Sequence, residues 1–130
     1  MDVTSFLFPW RRIDPRQPER NFIVHTTDTG VVCERPDGKT EQLAWADLQA
    51  IIIETAGYDP AYPDIFWILA GRSFSSGCVV PQGATGDEEM IDRLMKLPGF
   101  DHEAMGRAMG CKGNNKFLCW QRAKTGATLA

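Results

Sequence analysis

Between residues 22 and 81 the apolar positions come in short runs divided by turn-forming clusters, the pattern of strands rather than helices. Phe22-Ile-Val-His-Thr-Thr27 is rich in β-formers and stops at Asp28-Thr29-Gly30. Val31-Val-Cys-Glu-Arg35 predicts a second strand, closed by Pro36-Asp37-Gly38-Lys39. Proline presets φ and glycine accepts positive φ, so this tetrapeptide reads as a hairpin turn. The run Thr40–Trp45 alternates Leu43 and Trp45 with Gln42 and Ala44 and predicts a strand with one buried face; Asp47-Leu48-Gln49 makes a corner. Ala50–Thr55 is strongly β-branched. Ile65–Ala70 is nearly continuous in apolar residues, as a central strand buried on both faces would be. Phe74–Pro81 predicts a sixth strand.

After Pro81 the period changes. Met90, Ile91, Leu94, Met95 and Leu97 form one helical stripe, and Thr85 with Glu88 fits a capping box at its start. Leu97-Pro98-Gly99 ends that helix. Asp101 caps a second, with Met105, Ala108 and Met109 inward and Gly110 as its stop. Lys116–Gln121 is a last short strand. The sum is an α+β domain: an antiparallel sheet or small open barrel of six to seven strands, then one or two C-terminal helices and a closing strand. Residues 1–21, interrupted by Pro9, Pro15 and Pro18, read as an extended arm. Residues 22–122 read as one domain and 123–130 as a frayed tail.

At 130 residues the chain can bury about two-thirds of its unfolded surface, so no metal or disulfide is required for stability. Net charge is −3 but unevenly spread. Residues 21–110 carry fourteen acids and six bases, a net −8, while residues 111–130 carry +4. Such a body disfavours nucleic acid and anionic lipid as the main ligand and suits a basic protein partner or simple solubility. The N-terminal apolar run precedes its arginines, the reverse of a signal peptide, and no run is long enough to span a membrane. A cytoplasmic location is expected. Cys33, Cys78, Cys111 and Cys119 form no Cys-x-x-Cys pair and read as free thiols in preference to metal or redox groups.

Gln42-Leu-Ala-Trp-Ala-Asp-Leu-Gln-Ala-Ile51 contains a W-x-D-[LI]-x-x-I run, followed by Phe66-Trp-Ile-Leu69 and by Val79-Val-Pro81 leading into a helix. In this order the chain resembles the bacterial pleckstrin-homology-like fold. It is also similar to small proteobacterial proteins of toxin-immunity type in Asp64-Ile-Phe-Trp67, Leu97-Pro-Gly-Phe-Asp101 and Phe117-Leu-Cys-Trp120. The resemblance covers residues 22–122 and implies a non-enzymatic protein-binding module that sequesters a cognate, basic toxin domain. A pleckstrin-homology-like adaptor for a peptide or lipid head group is the alternative reading. The second helix, the strand after it, and the lack of a basic cluster in the early strands depart from an ordinary pleckstrin-homology domain.

No cofactor motif is present. Gly71-Arg-Ser-Phe-Ser75 misses G-x-S-x-G at its last position. His25 and His102 have no thiol nearby in sequence that is marked as activated, which leaves Cys–His catalysis, like a serine-based enzyme, a distant third reading. Asp101-His102-Glu103 point in different directions on a helix and suit a cap better than a metal. Two segments suit a partner. Tyr58, Asp59, Tyr62 and Asp64 lie in a loop between apolar strands, and tyrosine is enriched at interface hot spots. Glu88, Glu89 and Asp92 sit in the first turns of the long helix. There they complement its dipole and could also steer a basic protein.

Overall fold

The computed structural model describes residues 21–56, 64–73 and 76–123. Among these, seven strands form two antiparallel sheets rather than one sheet or a closed barrel. The first sheet is β1 (Ile23–Thr26), β2 (Gly30–Glu34) and β3 (Thr40–Ala44), in that order. The second has β4 (Ala50–Ala56), β5 (Asp64–Ala70), β6 (Gly77–Pro81) and β7 (Asn115–Gln121), in the order β6-β5-β4-β7. Helices α1 (Asp87–Met95) and α2 (His102–Met109) stand between β6 and β7 in sequence. No described helix is long and apolar enough to cross a membrane.

The core lies between the sheets. Val31, Cys33 and Leu43 enter it from the first sheet, and Ile51, Ile53, Trp67, Leu69, Cys78 and Val80 from the second. Met90 and Leu94 of α1, Phe100, and Ala104 and Ala108 of α2 close it. Trp67 is fully buried, and its indole N–H donates to Gln82 Oε1 at 2.9 Å. The other face of the second sheet is apolar too. Phe66, Ile68 and Val79 are buried there and Ile52 packs beside them, whereas Leu118, opposite Ile52, is 51% exposed. The continuous apolar run of β5 thus reflects burial on both faces, as its sequence predicts.

Local expectations fail in three places. Residue 45 is not the end of a strand: Trp45–Asp47 form one turn of 3-10 helix. The capping box is absent. The N-cap of α1 is Gly86, in the left-handed region at φ 86°, because Thr85 is held by the edge of β1: Val24 N–H donates to Thr85 C=O and Thr85 N–H to Phe22 C=O. A side chain at Gly86 would run 2.3 Å from the Val24 carbonyl oxygen, so the close crossing itself selects glycine. Met109 points out, 38% exposed; Ala104 takes its place inward with Ala108, small residues that let α2 approach β7 and β4. Charge also enters the core region: Arg35 and Glu41 are both buried.

The W-x-D-L run is a structural corner. The Trp45 indole N–H donates to Thr27 C=O at 2.8 Å, and the Arg93 guanidinium lies 5.2 Å from the ring centroid. Arg122 donates from Nε to Leu48 C=O and from an Nη to Trp45 C=O. Asp47 accepts from Arg72 Nε at 2.8 Å, so one corner ties together the β1–β2 turn, the β5–β6 turn, α1 and the end of β7.

Candidate binding surface

The acids of α1 divide by direction. Asp87 turns inward, buried, and its Oδ2 accepts from Gly83 N–H at 2.8 Å, fixing the turn before the helix. Glu88, Glu89 and Asp92 are exposed, opposite the face that carries Met90 and Leu94. Glu88 and Asp92 lie one helical turn apart. Asp92 is partly offset by Lys96, at 3.0 Å. Arg93, the one base inside α1, is turned back: it pairs with Asp28 of the β1–β2 turn at 3.6 Å, donates to the Asp28 carbonyl and covers Trp45. The exposed flank of α1 therefore presents carboxylates with Lys96 at its far end.

Tyr58, Asp59 and Tyr62 fall outside the described residues. Asp64 is the first residue of β5, opposite Ala56 in register.

The other candidates resolve into structural roles. Asp101 Oδ1 accepts from Ala104 N–H at 2.9 Å, the predicted cap, and the His102 ring packs edge-on against Phe100. His25 is exposed and pairs with Glu34, on the opposite face of the sheet from Cys33. Gly71–Ser76 joins two strands, whereas a nucleophile elbow needs a strand leading into a helix. Burial pushes the thiols of Cys33 up to about 12 and Cys119 up to about 11, and raises Cys78 as well. Cys111 differs: the Gly113 backbone, the Asn115 side chain, whose Nδ2–H donates to the sulfur at 3.3 Å, and the neighbouring Thr55 hydroxyl hold its thiol below the ordinary value. Thr55 itself donates to Gly113 C=O at 2.6 Å and accepts from Asn115 N–H at 3.1 Å, so these contacts also stitch the entry of β7 onto β4.

The buried pair escaped sequence reasoning. Arg35 and Glu41 lie 3.3 Å apart, and Glu41 Oε1 accepts from Val79 N–H on β6 at 2.8 Å. The signal was parity. Arg35 follows Val31 and Cys33 at steps of two, and Glu41 precedes Leu43 by two, so both share the inward face.

One open cleft of about 450 Å³ lies at the far end of the first sheet. Thr27, Thr29, Gly30, Val32, Gln42, Ala44, Asp47 and Ser76 are among its lining residues. Comparison of the chain with protein-family models, with curated proteins and with solved structures finds no match.

Proposed function

We propose that this chain is a non-enzymatic protein-binding module of pleckstrin-homology-like, immunity type, which holds a basic partner, such as a toxin domain, in the cytoplasm. The observation that carries the reading is the flank of α1: Glu88, Glu89 and Asp92 face outward while Arg93 is drawn back over Trp45. Fixed carboxylates on an anchored helix speed encounter with a basic surface and resist like-charged competitors. The long β4–β5 loop, with Tyr58 and Tyr62, supplies candidate anchors, because buried tyrosines dominate many interfaces.

The cleft bears on the alternative. Among the described residues its lining includes Asp47 and no lysine or arginine, a poor match for a phosphorylated head group, which needs clustered cations. The test is binding to the product of the neighbouring gene at two salt concentrations. Glu88→Lys with Glu89→Lys is expected to slow association and flatten its salt dependence. Unchanged kinetics would remove the acidic flank from the interface. Binding of phosphoinositide vesicles, and of no neighbouring product, would replace the reading with the adaptor.

A further inference from the structure

We propose that residues 1–20 form a strap across the outer face of the second sheet, with the aromatic run Phe6–Trp10 seated on Phe66, Ile68 and Val79. These three side chains point away from the core between the sheets and are 5%, 1% and 2% exposed. The apolar groups packed against them, Ile52, Ala56 and Ala70, belong to the same sheet. Among the described residues neither helix lies over them: Met90, Leu94, Ala104 and Ala108 all enter the core on the opposite side of the sheet. An apolar sheet face sealed to this degree needs a layer over it.

The pattern of burial locates that layer. In the second sheet β6 is the outermost strand, so on a bare face Val79 would be wetter than Ile52 of the interior strand β4. The order is reversed: Val79 is sealed, Ile52 is only half-buried, and Leu118 on β7 is 51% exposed. Along the strands, Ala56 and Ala70 at the two ends of the face are half-buried, while Ile68 midway is sealed. The cover therefore crosses the middle of β5 and β6 and stops short of β7.

One segment of the chain fits that path. The loop 57–63 leaves from Ala56 and returns at Asp64, its register partner, and residues 74–75 turn at the opposite end, so both serve the wetter ends of the face. Residues 124–130 follow β7, whose own Leu118 is bare, and hold one large apolar side chain, Leu129. Residues 1–20 hold Phe6, Leu7, Phe8, Trp10 and Ile13, and the alternation puts Phe6, Phe8 and Trp10 on one side of an extended chain. They also join the domain beside β6. Phe22 C=O accepts from Thr85 N–H at 2.8 Å, and Ala84 N–H donates at 3.1 Å to the carbonyl of Pro81, the last residue of that strand. From Phe22 back to Trp10 is about twelve residues, up to roughly 40 Å of chain, against about 5 Å between neighbouring strands. Tethering holds the segment at an effective concentration of about millimolar, which favours it over a second copy's.

The test is a nuclear Overhauser measurement on the full chain, with isoleucine, leucine and valine methyls labelled. Cross-peaks are expected from the rings of Phe6, Phe8 or Trp10 to the methyls of Ile68 and Val79, and none to Leu118. In the full chain, Phe6→Ala/Phe8→Ala/Trp10→Ala should shift the Ile68 and Val79 resonances and leave those of Ile51 and Ile53, on the inner face, in place. It should also lower the melting temperature by roughly 5 °C or more. Leu7→Ala, on the other side of the run, is the control and should move Ile68 and Val79 less. Absence of the wild-type cross-peaks, or cross-peaks to Ile68 only from Tyr58, Tyr62 or Phe74, overturns the proposal. So do unmoved Ile68 and Val79 resonances in the triple variant; if that variant does not fold, the wild-type cross-peaks decide alone. In a mixture of differently labelled copies, cross-peaks between copies overturn it too and assign the face to a second chain.

Discussion

The two sheets meet water in different ways. The four-stranded sheet buries apolar residues on both faces of β5, with Trp67 and Leu69 on one side and Phe66 and Ile68 on the other. The three-stranded sheet is one-faced: Val32, Gln42 and Ala44 look out while Val31, Cys33 and Leu43 look in. Its inward face also ends in an ion pair, Arg35–Glu41, whereas the buried acid of the second sheet, Glu54, sits on the outer face beside Phe66 and pairs with Lys116. The inward face of the second sheet is specified mainly by apolar burial. The first relies on a desolvated charge pair that also binds it to β6, and such a pair matters more for what its breakage costs than for net stability.

Substitutions can break this contrast. Trp67→Ala should cost about 3–5 kcal/mol in chemical denaturation, since it empties a ring-sized volume and strands the Gln82 amide oxygen. A loss under about 1 kcal/mol would show that the second sheet does not depend on that volume. Glu41→Ala should cost about 3 kcal/mol, because it leaves the Arg35 guanidinium buried beside no carboxylate from β3 and removes the acceptor of Val79 N–H. The double variant Arg35→Met/Glu41→Leu should lose less than the single one. A double loss equal to the sum of the singles would mean that the two charges act independently.

The edges offer smaller tests. Asp101→Ala removes the cap of α2 beside β7 and should cost about 1 kcal/mol, measured as a shift in the denaturation midpoint. Arg72→Ala breaks an exposed bridge to Asp47 at the corner of the first sheet and should cost less than about 1 kcal/mol. The thiols give a readout without mutation of the core. In the native protein at neutral pH, Cys111 should alkylate first. Its lowered pKa puts thiolate within reach at lower pH, whereas the raised pKa values of Cys33, Cys78 and Cys119 keep them as thiols. Asn115→Ala removes the Nδ2–H donor to Cys111 Sγ and should move the alkylation midpoint of Cys111 upward in pH. Labelling of Cys33 ahead of Cys78 would then report that the first sheet opens more readily.

Much of this was legible because short-range physics decided it. The β-branched run 50–55, the two-sided apolar run of β5 and the Asp101 cap each carry their own signal. The failures share a cause: a distant segment claimed a local group. Thr85 looks like an N-cap until β1 takes its backbone. Met109 outranks Ala104 in apolarity, but α2 sits too near β7 for a long side chain to be the inward one. Arg35 and Glu41 carried no signal beyond strand parity, which puts both inside although lone charges rarely enter a core. Of the proposed partner residues, exposure of Glu88, Glu89 and Asp92 followed from the helical stripe.

The place of β7 carries a consequence for the order in which the molecule can assemble. Strand β4 has β5 on one side and β7 on the other, and β7 lies some sixty residues further along the chain. During synthesis β4, β5 and β6 emerge and can pair well before residues 115–121 leave the ribosome. Until then the Ile51-Ile52-Ile53 side of β4 is an open, β-branched edge of the kind that recruits foreign strands. Closing a loop that long is slow compared with forming the hairpins, so the final docking of β7 should set the folding rate. The nascent chain is therefore most exposed to aggregation in the interval when α1 and α2 are being made, and a chaperone that shields β4 would act in that window.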